Sequence, residues 1–401
     1  VDNSSTFNLS ISGAGTTTLA AAQAWTIGST GNTTFSKAIA NGGLLLTLDG
    51  NGTGTGLIDS VISGTGALTK SGTGTWTLSG ANTYTGLTTV SGGTLALGAT
   101  NALAGGAVTV NGGILNIGAF NDTVGAITLT SGSITGTTGV LTGTSYALNG
   151  TVDTSVSAIL GGTGALTKSG AGIATLSGAN TFTGATGITA GTLRLGSATA
   201  LGTTAGATTV TSGTLDLNGQ TVGAEAIVLT DVSLLVNDNV GAAASLSGGV
   251  SGLANGTQIG GAGDLTLSGV VTSGGNGNWL KTGTGKLTLS GVNTFTRAVT
   301  INAGVLNIQN SSGLGAANTN IVTVNTGTAL ELQGGITLGA RPLTLNGTGV
   351  AAGGALRNIS GANSYTTAVT LASASRINSD AGTLTLSLIH ISEPTRQAEI
   401  S

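Results

Sequence analysis

The sequence predicts an all-β protein folded as a single parallel β-helix, and three observations carry this prediction. Apolar residues alternate with other residues in many short segments, which is the period of a half-buried strand. Several long segments recur almost unchanged, and equivalent apolar positions return every 17 to 24 residues. A chain that returns to the same inward position at this interval is typical of a solenoid whose coils stack as parallel strands.

The composition favours a packed core over disorder. The 401 residues include 73 Gly, which with Ser and Pro approaches the range of low-complexity chains. Disordered chains, however, are poor in apolar residues and rich in net charge. Here 39% of residues are hydrophobic, the net charge is −3 and the mean hydropathy is +0.38. The chain can therefore bury a core.

The composition also excludes several classes of function. With no Cys, the chain can form no disulfide, thiolate metal site or cysteine nucleophile. Its nearly balanced charge excludes the strongly basic surface of a nucleic-acid-binding protein. No apolar run approaches the roughly 18 residues of a membrane-spanning helix, and 3 Trp, 3 Tyr and 5 Phe are too few for the aromatic girdles of a membrane barrel. We therefore expect no nucleic-acid partner and no transmembrane segment in this sequence.

Three segments align without gaps and define a repeated unit. They are KSGTGTWTLSGANTYTG from Lys70, KSGAGIATLSGANTFTG from Lys168 and KTGTGKLTLSGVNTFTR from Lys281. A weaker copy, ISGANSYTTAV from Ile359, keeps the Asn and the aromatic residue but lacks the Lys segment. Helix is disfavoured throughout by the many Gly and β-branched residues.

The alternation within each unit predicts which side chains face the core. We expect these apolar residues to point inward, each stabilising the fold by roughly 1.5 to 3 kcal/mol: Leu95, Leu97, Leu193, Leu195, Leu215, Leu217, Leu306 and Ile308. The residue between each apolar pair should point outward to water: Ala96, Asn116, Arg194, Asp216, Asn307 and Glu331. Coils of about 20 residues, spaced by roughly 4.8 Å, predict about 19 coils and a rod on the order of 90 Å long.

The unit GTGALTKSGTGTWTLSGANTYTGLTTVSGGTLALG resembles the autotransporter passenger-associated repeat of Gram-negative surface and secreted proteins. The resemblance covers most of residues 1–386 and implies a right-handed β-helical passenger. It further implies export across the outer membrane by a C-terminal barrel of the same parent chain, with folding outside the cell assisting that export. Neither a signal peptide nor a barrel is present in the sequence, so the route to the cell surface rests on the resemblance.

The composition changes abruptly near the C-terminus. The segment LSLIHISEPTRQAEIS contains His390, the only His, together with one of the two Pro. It resembles the translation of a sequencing-library adapter read in frame. We therefore expect residues 1–386 to form the repeat domain and residues 387–401 to be a non-native tail that does not continue the solenoid; the alternative is a natural polar tail.

Three repeat positions are candidates for function, and for each a structural role is the stronger interpretation. Lys70, Lys168 and Lys281 are roughly five coils apart, beyond the Debye length, and are expected to be solvated lysines at corners. The aromatic position is expected to pack internally, and the Asn two residues earlier to hydrogen-bond turn backbone. These positions are Tyr84, Phe182, Phe295 and Tyr365, and Asn82, Asn180, Asn293 and Asn363.

No motif predicts a catalytic, cofactor or metal site. The segment from Gly260 to Asp264 is one residue short of a calcium-binding nonapeptide and occurs once, and the ten Asp are scattered singly. A polysaccharide-degrading β-helical enzyme remains an alternative function. A second alternative is an ice-binding solenoid, suggested by the threonine pairs Thr75/Thr77, Thr83/Thr85, Thr181/Thr183 and Thr294/Thr296. Their irregular spacing argues against it, because an ice-binding face needs such a pair on every coil.

These observations predict a structural passenger or stalk and not an enzyme. The expected partners are the missing outer-membrane barrel and a ligand on a host or another cell, and the expected location is the bacterial surface or the exterior. Which ligand is bound is left open by the sequence.

Overall fold

The computed structural model describes residues 1–3, 6–28, 30–274, 278–339 and 341–391, with side chains through residue 387. Within these residues the secondary structure is almost entirely short β-strands, with one 3-10 helix, Val350–Ala352. The chain forms two compact units, unit 1 from Val1 to Gly206 and unit 2 from Ala207 to Ser401.

Unit 1 is built from short strands separated by Gly-rich turns. Its strands are β1 Leu9–Ile11, β2 Thr16–Thr18, β3 Gln23–Ile27, β4 Thr33–Phe35, β5 Ala38–Gly42, β6 Leu46–Gly50, β7 Thr55–Ile58, β8 Ile62–Gly64, β9 Leu68–Lys70, β10 Thr75–Leu78, β11 Thr88–Val90, β12 Thr94–Leu97, β13 Val108–Gly118, β14 Asp122–Thr123, β15 Ala126–Gly136, β16 Val140–Thr142, β17 Ser145–Leu148, β18 Thr154–Val156, β19 Ile159–Gly161, β20 Ala165–Lys168, β21 Ile173–Leu176, β22 Thr186–Ile188 and β23 Thr192–Leu195.

Each strand of unit 1 pairs in parallel with its equivalent about 20 residues along the chain. β10 lies between β7 and β12, so that Trp76 is in register with Gly56 on one side and Leu95 on the other. In the same way β11 lies between β9 and β13. Parallel neighbours one coil apart are the defining pairing of a β-solenoid, and the predicted fold class is confirmed for this unit.

Unit 2 follows the same plan with its own strands. These are β24 Thr208–Val210, β25 Thr214–Asp216, β26 Thr221–Val222, β27 Ile227–Leu229, β28 Leu234–Val236, β29 Ala244–Leu246, β30 Val250–Ser251, β31 Gln258–Gly260, β32 Leu265–Leu267, β33 Trp279–Thr282, β34 Lys286–Leu289, β35 Val299–Ile301, β36 Val305–Ile308, β37 Val322–Val324, β38 Ala329–Gln333, β39 Thr337–Leu338, β40 Leu343–Leu345, β41 Leu356–Ser360, β42 Asn363–Leu371, β43 Ile377–Ser379 and β44 Leu384–Ile391.

The core of each unit is a stack of inward apolar residues in register. In unit 2, one column runs from Leu287 through Leu306 and Leu330 to Leu356. All eight residues predicted to point inward are buried, with at most 5% of their surface exposed. The inward half of the predicted pattern is therefore confirmed.

The prediction for the outward positions is partly wrong. Ala96, Asn116 and Arg194 are half-buried, whereas three of the predicted solvent-facing residues are buried: Asp216, Asn307 and Glu331. The alternation predicts on which face of the strand a side chain lies, but it does not predict whether other side chains cover that face. In β36 and β38 the outward side chains cover one another, because Asn307 and Glu331 are in register and hydrogen-bond at 3.2 Å.

Strand pairing continues beyond the predicted boundary at Leu386. β44 pairs in parallel with β42, from Asn363 opposite Leu384 to Leu371 opposite Ile391. The expectation that the solenoid stops at residue 386 is therefore wrong for residues 387–391. The alternating apolar residues of this segment suffice to extend a strand on an existing edge. Residues 392–401 lie outside the described residues, and the non-native origin of the tail stays a prediction.

Continuity of one β-helix across residues 1–386 and its right-handedness stay predictions, the second supported by the near-universal hand of parallel crossovers. Across the described residues, no helix has the length and apolar character needed to cross a membrane.

Candidate functional site

The three repeat lysines are buried, and the expectation that they are solvated corners is wrong. Lys70 and Lys168 end β9 and β20, and Lys281 is the last residue but one of β33; at most 1% of each residue is exposed. Lys70 is in register with Leu48 on one neighbouring coil and Val90 on the other. Each lysine thus occupies a core position that adjacent coils fill with an aliphatic side chain.

The ammonium groups bind the carbonyl oxygens of two successive turns. Lys281 Nζ donates to Thr282 O at 2.9 Å and Gly283 O at 2.8 Å on its own turn, and to Ala303 O at 3.0 Å on the next. Lys70 makes the same contacts with its own turn and with Gly92 O at 3.2 Å. Lys168 binds Gly170 O and, at 3.2 Å, Ala190 O. Each lysine therefore joins its coil to the following one.

Burial also changes the protonation equilibria of these lysines. Loss of water from the ammonium lowers the pKa of Lys70 and of Lys281 to about 8, partly offset by the charges of Asp49 and Asp264 respectively. Burial lowers the pKa of Lys168 in the same way. Backbone carbonyls take the place of the lost water, which is the arrangement expected for a buried cation with a structural role.

A signal in the sequence could have located these lysines. In Leu166-Thr167-Lys168 the lysine stands two residues after an inward Leu, and a strand places alternate residues on one face. The charge of the lysine predicted exposure to solvent instead, and that prediction was wrong because the position in the strand determines which way the side chain points. The long aliphatic stem lets Lys occupy an apolar position while its head reaches the turn.

The turns that receive the ammonium groups require glycine. Gly93, Gly191 and Gly304 hold the same repeat position and have φ of 55°, 63° and 64°, a conformation that other residues adopt at a cost. A Cβ at Gly191 would lie 2.6 Å from Lys168 Nζ. The glycine therefore provides both the turn and the space for the lysine head.

The repeat asparagines join three successive coils. Asn180 Oδ1 accepts the Leu160 N–H at 2.9 Å, and Asn180 Nδ2 donates to Ala200 O at 2.6 Å. Asn82 makes the equivalent bonds to Ile62 and Ala102, and Asn293 to Val271 and Gly313. In the weaker copy, Asn363 accepts the Ile336 N–H at 2.7 Å. The predicted bonds to turn backbone are present, and in the three full copies they reach the coils on both sides, whereas Asn363 Nδ2 donates to the nearby Ser360 O.

The repeat aromatic residues pack internally, as predicted. Tyr84, Phe182, Phe295 and Tyr365 are each at most 1% exposed. Phe295 packs edge-on against Trp279 with ring centroids 5.5 Å apart. The guanidinium of Arg341, itself buried, lies 4.8 Å from the Phe295 ring centre. These rings are therefore inaccessible to a sugar ligand.

Replacing Lys281 with Met should lower the stability of its coils by about 2 to 4 kcal/mol. Met fills a similar apolar volume but leaves three part-buried turn carbonyls without their donor, at a cost of about 1 to 3 kcal/mol for each group that water cannot reach. Hydrogen exchange of amides in β33 to β36 measures the effect. The control is Lys37→Met, which alters a half-exposed lysine. Unchanged protection in Lys281→Met would show that the ammonium contributes nothing to the fold.

A group of charged residues in unit 2 was missed by sequence reasoning. Lys286 Nζ lies 2.8 Å from Glu331 Oε2, and Arg357 bridges Glu331 Oε1 at 3.5 Å and Asp380 Oδ2 at 2.5 Å. These residues come from β34, β38, β41 and the turn after β43, so segments 94 residues apart meet on one sheet face. Because opposite charges are paired within the group, it presents neither a free acid–base pair nor a uniform charge.

Threonines form a column on one outer face of unit 1. Those on five successive coils are paired in register and half-buried: Thr47, Thr69, Thr89, Thr109 and Thr128. This regular column consists of threonines other than those of the four pairs noted from the sequence. The residues two positions further along these coils are Asp49, Ser71, Ser91, Asn111 and Thr130. Threonine thus forms a single row on four of the five coils, whereas the ice-binding alternative needs a pair on every coil.

No group of three or more His, Asp or Glu among the described residues is arranged to hold a metal ion. The repeat lysines and asparagines bind neighbouring coils with the same geometry in each full copy of the repeat. The passenger-associated-transport-repeat matches residues 68–97, 166–195 and 280–308. The chain therefore carries three copies of this repeat. Each matched segment contains one buried lysine and one bridging asparagine.

The chain is also similar to a curated adhesin. It is 32% identical over 197 residues to the adhesin BmaC autotransporter of Brucella suis biovar 1 (strain 1330), and the match covers 47% of this chain and 5% of that protein. The chain thus spans a small part of the length of this relative. Comparison with solved structures gives no match. The recognised family and relative are a transport repeat and an adhesin, in agreement with the resemblance noted from the sequence.

Proposed function

We propose that this chain is a structural passenger segment of a bacterial autotransporter, exposed on the cell surface or secreted, that spaces or displays an adhesive surface. The observation that carries the proposal is the use of the repeat side chains. The Lys, Asn and aromatic positions could bind a ligand if they were exposed, but all are buried. The lysines and asparagines form hydrogen bonds between coils instead. A segment whose distinctive residues stabilise stacking fits a scaffold better than an enzyme.

The same contacts support a role in export. Each lysine and asparagine bonds to backbone about 20 residues away, so every emerging coil finds its partners on the coil already formed. Solenoids fold by such nearest-neighbour contacts and can propagate from one end. We therefore assign to the repeats a ratchet-like function, in which folding outside the cell opposes backward movement of the chain through its barrel.

The partners of the proposed passenger are the outer-membrane barrel of its parent chain and a ligand on a host or another cell. Adhesion would use the outer faces, because the core and the repeat positions are buried. The polysaccharide-degrading alternative is disfavoured by the pairing of Glu331 and Asp380 with Arg357, since a glycosidase needs one carboxyl free to donate a proton.

Export is tested by placing the chain between a secretion signal and an outer-membrane barrel in a Gram-negative host. Surface exposure is measured with added protease and an epitope tag at the N-terminal end. The triple variant N82A/N180A/N293A should reach the surface less efficiently than the wild type, while Asn149→Ala, which changes an exposed asparagine, should match it. Equal surface exposure of the wild type, the triple variant and Asn149→Ala would refute the export role.

Adhesion is tested separately with the same cells. Cells that display the chain should bind host cells or one another more than cells that display the barrel alone. If display is normal but binding equals that of the barrel alone, the chain is a spacer and the adhesive part of the proposal is wrong.

A further inference from the structure

One carboxyl group of unit 1 stands where the repeat uses an amide. Asp122 begins β14 and accepts the Leu103 N–H of the preceding coil on Oδ2 at 2.8 Å. The repeat asparagines make the same bond, since Asn180 Oδ1 accepts the Leu160 N–H at 2.9 Å. Asp122 follows Asn82 by 40 residues, which is two coils of the solenoid.

The other half of the asparagine interaction cannot be made by an ionised carboxylate. Asn180 Nδ2 donates to Ala200 O on the following coil, but a carboxylate has no donor. Asp122 is 1% exposed, and its Oδ1 atom is buried without a hydrogen-bond partner among the described residues. A buried charged oxygen without a partner is costly, whereas a protonated oxygen can donate as the amide does.

We propose that Asp122 is a proton-controlled latch between coils of unit 1. With a proton on Oδ1, the carboxyl both accepts from the preceding coil and donates toward the following one, as the repeat asparagines do. Without that proton, the carboxylate holds the preceding coil through Oδ2 but leaves a charged Oδ1 buried without a partner among the described residues. Protonation therefore tightens this part of the solenoid, independently of the passenger function proposed above.

The surroundings of Asp122 explain why the switch works in mildly acidic solution. Burial raises its pKa to about 6, against the lowering effect of backbone N–H groups of Leu103, Thr123 and Ala102. Two tyrosine phenols lie near Asp122: Tyr84, which interacts with its charge, and Tyr146, which donates to the carbonyl of Leu141, the residue in register with Asp122 on the next coil. Burial raises the pKa of both, so they are neutral in this range. Among the described residues, no cation contributes to the shift of Asp122.

The direction of the pH dependence follows from this shift. The folded state binds the proton more tightly than the unfolded state, whose carboxyl has the ordinary pKa near 3.8. The stabilisation is therefore complete below about pH 4 and decreases as the pH rises toward 6. A difference of about two pKa units corresponds to about a hundredfold change in the equilibrium constant for opening.

Hydrogen exchange of the full chain tests the latch. After correction for intrinsic exchange rates, the Leu103 amide should be protected about a hundredfold more strongly near pH 4 than near pH 7. In Asp122→Asn this pH dependence should disappear, with strong protection retained at both values. The control is Asp153→Asn, because Asp153 is exposed and accepts one backbone N–H, from Ile173; it should retain the wild-type profile.

A reciprocal variant makes the test independent of the folding of Asp122→Asn. Asn180→Asp places a carboxyl at the matched position and should give the Leu160 amide a new dependence on pH, of the same direction. The proposal is overturned by an equal pH profile for wild type and Asp122→Asn, or by a pH-independent Leu160 amide in Asn180→Asp. Loss of protection in Asp122→Asn at both pH values would also overturn it, since an amide would then fail to replace the protonated carboxyl.

Discussion

Replacing Asn180 with Ala lowers the local free energy of opening of its coils by about 2 to 6 kcal/mol. The substitution leaves the Leu160 N–H and the Ala200 carbonyl without partners, and each unpaired buried group costs about 1 to 3 kcal/mol. The two groups belong to different coils, so the loss should extend to both sides of Asn180. Hydrogen exchange of segments 158–166 and 198–204 measures it.

Asn149→Ala is the matched control for this prediction. Asn149 lies in the same unit, but its side chain is exposed, and we expect a change within about 0.5 kcal/mol. A local measurement is preferable to one melting temperature, because long repeat arrays need not unfold in one step. If Asn180→Ala changes protection no more than Asn149→Ala does, the asparagine ladder is dispensable.

Much of the fold could be predicted from sequence because a solenoid depends on local pattern. The alternation around Leu95 and Leu306 determines which side chains enter the core, and the return every 17 to 24 residues determines which strands become neighbours. Both features are read from short segments. Parallel stacking then follows without knowledge of any long-range contact other than the next coil.

The predictions that failed concern what covers a residue. Lys70 was assigned to solvent by its charge, although its spacing from Leu68 places it on the inward face. Glu331 was assigned outward, which is its side of the strand, but Asn307, Arg357 and Lys286 cover it. Coils of unequal length separate these partners by 24 to 45 residues in sequence, so their meeting depends on register and not on a motif.

The asparagine positions show the intermediate case. The sequence predicted hydrogen bonds from Asn180 to turn backbone, which the structure contains. It did not predict that the bonds reach two other coils, because the geometry of a corner is decided by the stacking. Asp122 was not singled out for the same reason: its equivalence to Asn82 appears only when the coils are superposed in register.

In the core of unit 1, a large side chain packs directly against a glycine of the adjacent coil. Gly56 and Trp76 are in register on adjacent coils, and a Cβ built on Gly56 would lie 2.2 Å from Trp76 Cδ2. The indole cannot swing away freely, because Trp76 Nε1 donates to Asp49 O at 2.8 Å and the residue is fully buried. The ring therefore occupies the space that a side chain at residue 56 would need.

Gly56→Val should consequently destabilise unit 1 by about 3 kcal/mol or more, at the upper end of the range for overpacked cores. Trp76→Leu alone should cost about 2 to 4 kcal/mol through the cavity it leaves. The double variant should lose less stability than the two single variants lose together, because valine then fills the space that the indole vacated. Denaturant unfolding followed by hydrogen exchange of β7 and β10 supplies all three values. Strict additivity would mean that the two residues do not share this space, and that the clash at Gly56 is relieved by movement of the backbone instead.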